Sequence, residues 1–311
     1  MLSLSYYEVL YMLDPNKHIA LKEAMYYHKK HHNEVQCSLC PHHCIIIDGE
    51  AGRCNVRRNK HGILYAMSYG IISAMALDPI EKKPLFKFYP GTQILSIGSI
   101  GCNLHCPFCQ NYPISLEYHN SNILLDQKTA KELSTCAADA REDGNIGLAY
   151  TYNEPTVNFE FVYDCARNIY KNRLRNIYVS NGFISPEPLE RLLPLLDAAN
   201  IDLKSFSEEF YKKIGGQLEV VKRNIKRIAE SDCHLELTFL VIPGENDSPE
   251  EMEAVSTWIA SINREIPLHI TRSFPHYQYT HMEETPHDTI YQLREIAWKH
   301  LDQVFLGNMG W

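Results

Sequence analysis

From about residue 95 onward the chain alternates between two hydrophobic periods. Short, nearly continuous apolar runs occur at ILSIGSI (94–100), IGLAYT (146–151), NIYVS (176–180), NIDL (200–203), LELTFLV (235–241) and PLHIT (267–271). Between them, residues 127–142, 156–172, 186–196, 217–230, 248–263 and 286–301 keep helical spacing. Strands that read as unbroken apolar runs are buried on both faces, as in a parallel sheet with crossover helices. Six such units predict an α/β fold, a partial (β/α)6 TIM-type barrel, with an open doubly wound sheet as the alternative. No G-x-G-x-x-G follows a strand, which counts against a dinucleotide-binding sheet. QVFLG (303–307) reads as a final strand.

Before residue 90 the pattern differs. Leu10, Leu13, Ala20, Leu21, Ala24 and Met25 predict one or two helices over residues 1–30. The segment HKKHHNEVQCSLCPHHCIIIDGEAGRC has turn residues (Pro41, Asp48-Gly49, Gly52) and little periodicity, so something besides an apolar core must hold it. Residues 55–94 read as short strands and turns. The Asn59–Gly62 turn predicts a hairpin between Asn55-Val56-Arg57 and Ile63-Leu64-Tyr65. The expected division is a small helical and Cys-rich N-terminal domain over 1–90 with an auxiliary metal site, and the barrel over 91–311.

Composition narrows the function. With 45% hydrophobic and 22% charged residues over 311 positions, the chain is neither disordered nor fibrous. A net charge of −8 gives no basic footprint for nucleic acid or an anionic membrane. No apolar run reaches the ~18 residues of a membrane span; Tyr65 to Leu77 is shorter and broken by Ser and Gly. MLSLSYYEVLYMLDP lacks a basic leader region and a small-residue cleavage site, so a cytoplasmic protein is expected.

Disulfides are disfavoured in that compartment, so clustered cysteines point to metal or redox chemistry. Of ten cysteines, seven lie in two groups between Cys37 and Cys109. Cys136, Cys165 and Cys233 are scattered and read as small buried residues. In GCNLHCPFCQN (101–111), Cys102, Cys106 and Cys109 are spaced C-x3-C-x2-C directly after a strand. Three thiolates can hold three irons of a [4Fe–4S] cube and leave the fourth open to an exogenous ligand. Zinc would need a fourth ligand, and His105 is cramped beside its Cys neighbours. Cys37, Cys40, Cys44 and Cys54 read C-x2-C-x3-C-x9-C, a closed site for an auxiliary [4Fe–4S] cluster or a structural zinc. Gly49 and Gly52 let the chain turn back so that Cys54 joins it. His42 and His43 could substitute as ligands. His28, His31 and His32 read as a solvated helix face.

These motifs resemble the radical S-adenosylmethionine (SAM) enzymes over about residues 90–308. The chain is more similar to the pyruvate formate-lyase activating enzyme group, and closer still to the radical SAM members of the AmmeMemoRadiSam system. The residues that carry the resemblance are CSLCPHHC (37–44), DPIEKKPLFKFYPG (78–91), GCNLHCPFCQN, YTYNEPT (150–156), VSNGFI (179–184), DLK (202–204) and VIPGENDS (241–248). The family often carries a further Cys-rich tail that has no counterpart after FLGNMGW, so a third metal site is not expected.

The resemblance implies that SAM chelates the open iron of the Cys102, Cys106 and Cys109 cluster. Reductive cleavage then gives methionine and a 5′-deoxyadenosyl radical that abstracts hydrogen from a substrate. By the same resemblance Glu154, in Tyr152-Asn153-Glu154-Pro155, receives the methionine ammonium. Lys204 meets the SAM carboxylate, and Asp202 and Asn111 reach the ribose. Ser180 and Asn181 form a polar turn on SAM, with Gly182 free to take positive φ. Ile242-Pro243-Gly244 packs on the adenine, and His276 matches a nearby histidine although the local order differs. Without the resemblance, Glu154 reads as a first-turn helix residue, Asp202 and Lys204 as a surface pair, and the asparagines and Ser180 as turn formers. The implied function is hydrogen abstraction from an unassigned substrate, a small molecule or a partner protein. Electrons would come from a donor such as flavodoxin or ferredoxin. The AmmeMemoRadiSam name implies two further proteins as company, one resembling a ring-opening dioxygenase. The alternatives are a glycyl-radical-enzyme activase and an iron–sulfur electron-transfer protein with a vestigial SAM site.

Overall fold

The computed structural model describes residues 21–120 and 123–310. Its strands in chain order are β1 (Lys22–Glu23), β2 (Tyr27–Lys29), β3 (Val35–Cys37), β4 (Ile45–Ile46), β5 (Arg57–Lys60), β6 (Ile63–Ala66), β7 (Ile71–Ile72) and β8 (Ala74–Pro79). They continue with β9 (Gln93–Gly98), β10 (Asp126–Gln127), β11 (Asn145–Tyr150), β12 (Arg175–Ser180), β13 (Ala198–Asp202), β14 (His234–Val241), β15 (Leu268–Arg272) and β16 (Val304–Gly307). The main sheet runs β16-β15-β14-β13-β12-β11-β9-β8. Neighbours from β9 to β16 are parallel, and β8 adds an antiparallel edge on β9. The two edges of this order, β8 and β16, are not neighbours, so the sheet is a partial barrel.

Each crossover carries helix where the spacing predicts it. Ala130–Asp139, Phe159–Lys171, Pro186–Leu192, Leu218–Ala229, Pro249–Ile262 and His287–Ala297 follow successive strands. Local chemistry fixes their starts. Thr129 and Glu132 form a reciprocal capping box, and Ser248 caps a helix that opens on Pro249. The fold expected from the alternating pattern is thus the observed one. Among the described residues no helix is long and apolar enough to cross a membrane.

The N-terminal part departs from expectation. Residues 21–30 form β1 and β2, not a helix. Ala24 and Tyr26 are buried as alternate residues while Leu21 is 43% exposed, so the working period is two. β1 pairs with β6, some forty residues on. The rest of the expected helix, with Leu10, Leu13 and Ala20, lies outside the described residues. His28, His31 and His32 are exposed, but on β2 and a following tight turn. The predicted hairpin forms as β5–β6, but its first arm is Arg57–Lys60, not 55–57, and its turn narrows to His61 and Gly62, both at positive φ (54° and 78°).

The 80–88 segment is not a surface turn. Ile80 and Leu85 are buried with Ile94, Ala149, Ile177 and Ala198 of four main-sheet strands. Phe86 packs its ring 4.8 Å from His269 and 4.9 Å from Phe305. The segment plugs the amino-terminal end of the barrel and leaves the carboxyl end open. Glu236 of β14 anchors it, accepting hydrogen bonds from Phe86 N (3.0 Å) and Lys87 N (2.8 Å). It is also paired with His234 (2.9 Å) and His269 (2.6 Å).

Burial alone would raise the Glu236 carboxyl, but the two histidines and two backbone donors outweigh it and hold it at about 2. A depressed folded value stabilises the fold above the ordinary pKa of 4.5 and loses that contribution as pH falls towards 2. Urea unfolding should therefore show a loss of about 3 kcal/mol between pH 5 and pH 2 that Glu236→Gln abolishes. An unchanged pH profile in that variant would contradict the anchor.

Candidate active site

The carboxyl ends of β9, β11, β12, β13 and β14 open onto one cleft of about 370 Å³. Its wall contains Cys102, Cys106, Cys109, Asn111, Glu154, Ser180, Asn181, Asp202 and Lys204. Nine candidate residues from separate loops thus meet in one space. His276 is not among the lining residues; it is half-buried after β15, its ring 5.6 Å from Tyr112. Ile242, just after β14, is buried outside the cleft, and Thr238 and Leu240 of β14 line it instead.

The cysteine loop is clamped by asparagines. Asn153 accepts from Ser99 N (2.8 Å) and donates to Gly101 O (2.9 Å). Asn111 donates to Tyr152 O (2.7 Å), tying the end of the loop to the turn after β11. Asn181 donates to Asn103 Oδ1 (2.9 Å), and its amide lies 3.7 Å from Cys102 Sγ. The three thiols keep some surface open to the cleft yet lie deep in the protein. Desolvation pushes Cys106 up to about 12 and raises Cys102 and Cys109 as well. Left alone they stay protonated; three thiolates here need a cation, which fits a metal centre.

Glu154 is buried and held by neutral donors. Its Oε1 accepts from Thr156 N (2.9 Å), Thr156 Oγ1 (2.5 Å) and Ser180 Oγ (2.8 Å), and its Oε2 from Asn181 N (2.8 Å). Desolvation raises its pKa against these four bonds. A carboxylate so placed suits a cationic ligand arriving from the cleft.

Asp202 and Lys204 pair at 2.7 Å. Burial works against the Lys204 ammonium, but Asp202 and the nearby thiols hold it well above its ordinary pKa. Asn246 positions this pair from behind. It donates to Lys204 O (2.8 Å) and Leu240 O (2.9 Å) and accepts from Ile242 N (2.6 Å), stitching the end of β14 to the loop after β13.

The second cysteine group frames a separate hollow lined by Cys37, Cys40, Cys44 and Cys54. Gly52 packs closely there: a Cβ would fall 3.1 Å from Ile46 Cδ1 and 3.6 Å from Cys44 Sγ. Arg57 lines the hollow, and its buried Nε has no hydrogen-bond partner. Its other nitrogens bond Glu160 at 2.9 and 3.0 Å in a fully buried pair. An unsatisfied guanidinium N–H beside four thiols fits an anionic metal–thiolate centre. Among the described residues no three His, Cys, Asp or Glu side chains are already gathered as a metal site.

The two cysteine groups are close neighbours. Gly101, at φ +88°, precedes Cys102, and a Cβ on it would fall 2.7 Å from Val56 Cγ1 and 3.0 Å from Cys54 O. His42 Nε2 bonds Asn103 O at 2.7 Å. Thr156, which holds Glu154, also lines the four-thiol hollow.

Residues 96–255, about half the chain, match the family described as the Radical SAM superfamily. The chain belongs to the radical SAM superfamily. The match spans the three cleft cysteines, Glu154, Asp202 and Lys204. The family implies a [4Fe–4S] cluster and SAM. The uncharacterized protein MJ0808 of Methanocaldococcus jannaschii is 39% identical over 292 residues, 93% of this chain and 86% of the relative. A 4-hydroxyphenylacetate decarboxylase activating enzyme of Clostridioides difficile is 25% identical over 122 residues, covering 38% of this chain and 39% of that one. Among solved structures, Streptococcus suis SuiB bound to S-adenosylmethionine superposes with a TM-score of 0.53 at 15% identity. That match covers 67% of this chain and 48% of SuiB, and it is a likeness of fold. The protein is therefore a radical SAM enzyme.

Sequence reasoning missed Asn153, Asn103 and Asn246, which hold the site without lying at a motif's centre. Asn153 stands beside Glu154, and Asn246 follows the Pro243-Gly244 turn, so adjacency was their one signal. Gly101→Ala should destabilise the protein by about 1–3 kcal/mol, because a Cβ adds left-handed strain and collides with Val56 and Cys54. Thermal melting checks this; an unchanged midpoint would show that the N-terminal segment does not press on the loop.

Proposed function

We propose that Cys102, Cys106 and Cys109 hold the [4Fe–4S] cluster and that Glu154, Asp202, Lys204, Asn111, Ser180 and Asn181 bind SAM beside it. The supporting observation is the convergence in one cleft of three thiols that need a cation and a buried carboxylate held by neutral donors alone. When bound, the cluster and SAM supply one-electron cleavage of the sulfonium and hydrogen abstraction from a substrate. The protein's part is placement. Glu154 receives the ammonium, while Thr156, Ser180 and the Asn181 backbone fix its two oxygens. Lys204 takes the SAM carboxylate and Asp202 a ribose hydroxyl. The Asn181 amide beside Cys102 Sγ stabilises negative charge on that sulfur.

In this reading residues 1–90 carry the auxiliary centre and residues 91–311 the catalytic barrel, with β8 lent by the first part to the sheet of the second. Cys37, Cys40, Cys44 and Cys54 hold an auxiliary [4Fe–4S] cluster, with zinc as the alternative that iron quantification separates. A flavodoxin or ferredoxin serves as donor, and a reducing cytoplasm suits ten free cysteines. The likeness to an activating enzyme favours one second reading, installation of a glycyl radical on a partner protein. A purified glycyl-radical partner that acquires its radical signal only with this protein would decide for it.

Anaerobic reconstitution followed by a dithionite-driven SAM-cleavage assay tests the proposal. Wild type should form methionine and 5′-deoxyadenosine, and Cys106→Ala should lose at least 100-fold in rate. Full turnover by that variant would sink the ligand assignment. Glu154→Gln should weaken SAM binding by about 30-fold or more, as expected for loss of one partner of a buried charge pair. Cys40→Ala should lose the auxiliary metal and thermal stability while keeping the SAM-linked cluster. Loss of all iron from Cys40→Ala would show that the two sites are not independent.

A further inference from the structure

The cleft has a charged floor that cofactor binding leaves unused. The barrel plug carries Lys82, Lys83 and Pro84 up into the lining of the cleft. Asp78, near the end of β8, accepts from Lys83 Nζ (2.9 Å), Lys82 Nζ (3.2 Å) and Tyr152 OH (2.7 Å). The Lys83 side chain is 3% exposed, and its ammonium stands 4.6 Å from the centre of the Tyr152 ring. The Lys82 side chain is 67% exposed. Tyr152 is held at φ +68°, a conformation that costs a bulky residue and persists where the surroundings impose it.

Charge counting gives this arrangement a direction. One carboxylate faces two ammonium groups, so the floor carries one surplus positive charge. A structural anchor for the plug needs only the buried Lys83–Asp78 pair, and Lys82 adds a second cation on the open side. The other charged side chains lining the cleft, Glu154, Asp202 and Lys204, are committed to SAM in the reading above. The rest of the cleft lining includes the uncharged polar side chains of Thr238, Thr271 and Asn308. A surplus cation on the open side of a concave site draws an anion by the summed positive field there, most strongly at low ionic strength.

We infer that the substrate carries an anionic group, a carboxylate or a phosphate, which docks on Lys82 at the floor of the cleft. Lys83 stands behind it, fixed by Asp78 and Tyr152. This inference rests on the proposed assignment of Glu154, Asp202 and Lys204 to the cofactor. The uncharged polar lining then faces the rest of the substrate.

Calorimetric titration of the anaerobically reconstituted full-length protein tests it. Inorganic phosphate and malonate serve as probes at low ionic strength, with and without SAM. One probe or both should bind wild type saturably at one site, the stronger naming the phosphate or the carboxylate. Lys82→Gln should lower that affinity at least tenfold, and Lys82→Arg should restore it to within about threefold, since the charge is kept. Failure of both probes to bind wild type overturns the inference, as does equal binding by Lys82→Gln. SAM titrated alone into the same samples reports separately. Absent SAM binding strikes the proposed function, whereas SAM binding without probe binding removes only the anionic floor.

Discussion

A carboxylate taken out of water must be hydrogen-bonded on every side or meet a cation. Glu154 satisfies the first condition with four neutral donors and leaves the second to whatever enters the cleft. The geometry around it follows from that constraint. Its cradle draws the end of β12 onto the turn after β11 through Ser180 and Asn181. The same turn presents Asn153, which grips the cysteine loop, and Thr156, which reaches the four-thiol hollow. One five-residue turn therefore sets the positions of both cysteine groups relative to the barrel.

The N-terminal segment is organised by a small core and by polar contacts together. Ala24, Tyr26, Val35, Leu39, Ile46, Val56, Leu64 and Ala66 are buried in it. The remaining order comes from the Arg57–Glu160 pair, from Met25 N on Glu160 (2.7 Å), and from four inward thiols. Such a segment gains folding free energy when a metal replaces four thiol protons. Its packing on Gly101 makes the four-thiol segment and the Cys102–Cys109 loop mechanically continuous.

The parts legible in the sequence are those whose signal is local. Strands β9 and β11 to β15 read as apolar runs because both faces are largely buried, and the cysteine spacings carry their chemistry in a few residues. β1 and β2 were illegible because two- and three-residue strands have no period of their own; they exist by pairing with β6 and β3. Over so few residues, Leu21, Ala24 and Met25 satisfy a helical template by chance. The asparagine clamps were illegible for another reason. An Asn in a loop reads as a turn former, and only the fold shows that Asn153, Asn103 and Asn246 spend their side chains on distant backbone.

The plug over residues 80–88 is the least legible element and the one that gives the barrel its polarity. Its apolar residues Ile80 and Leu85 follow no strand or helix period and are buried in one cluster with residues of four strands. By filling the lumen below, it removes the amino-terminal end as a route to the cofactor. By rising between Lys82 and Pro84, it becomes part of the wall above. The chain beyond both edge strands, the plug after β8 and Asn308 after β16, contributes to that lining. A closed barrel would have covered this seam with a further strand. In the docking proposed above, the lysines of that plug would meet an anionic group at the same lining that carries the cysteine loop.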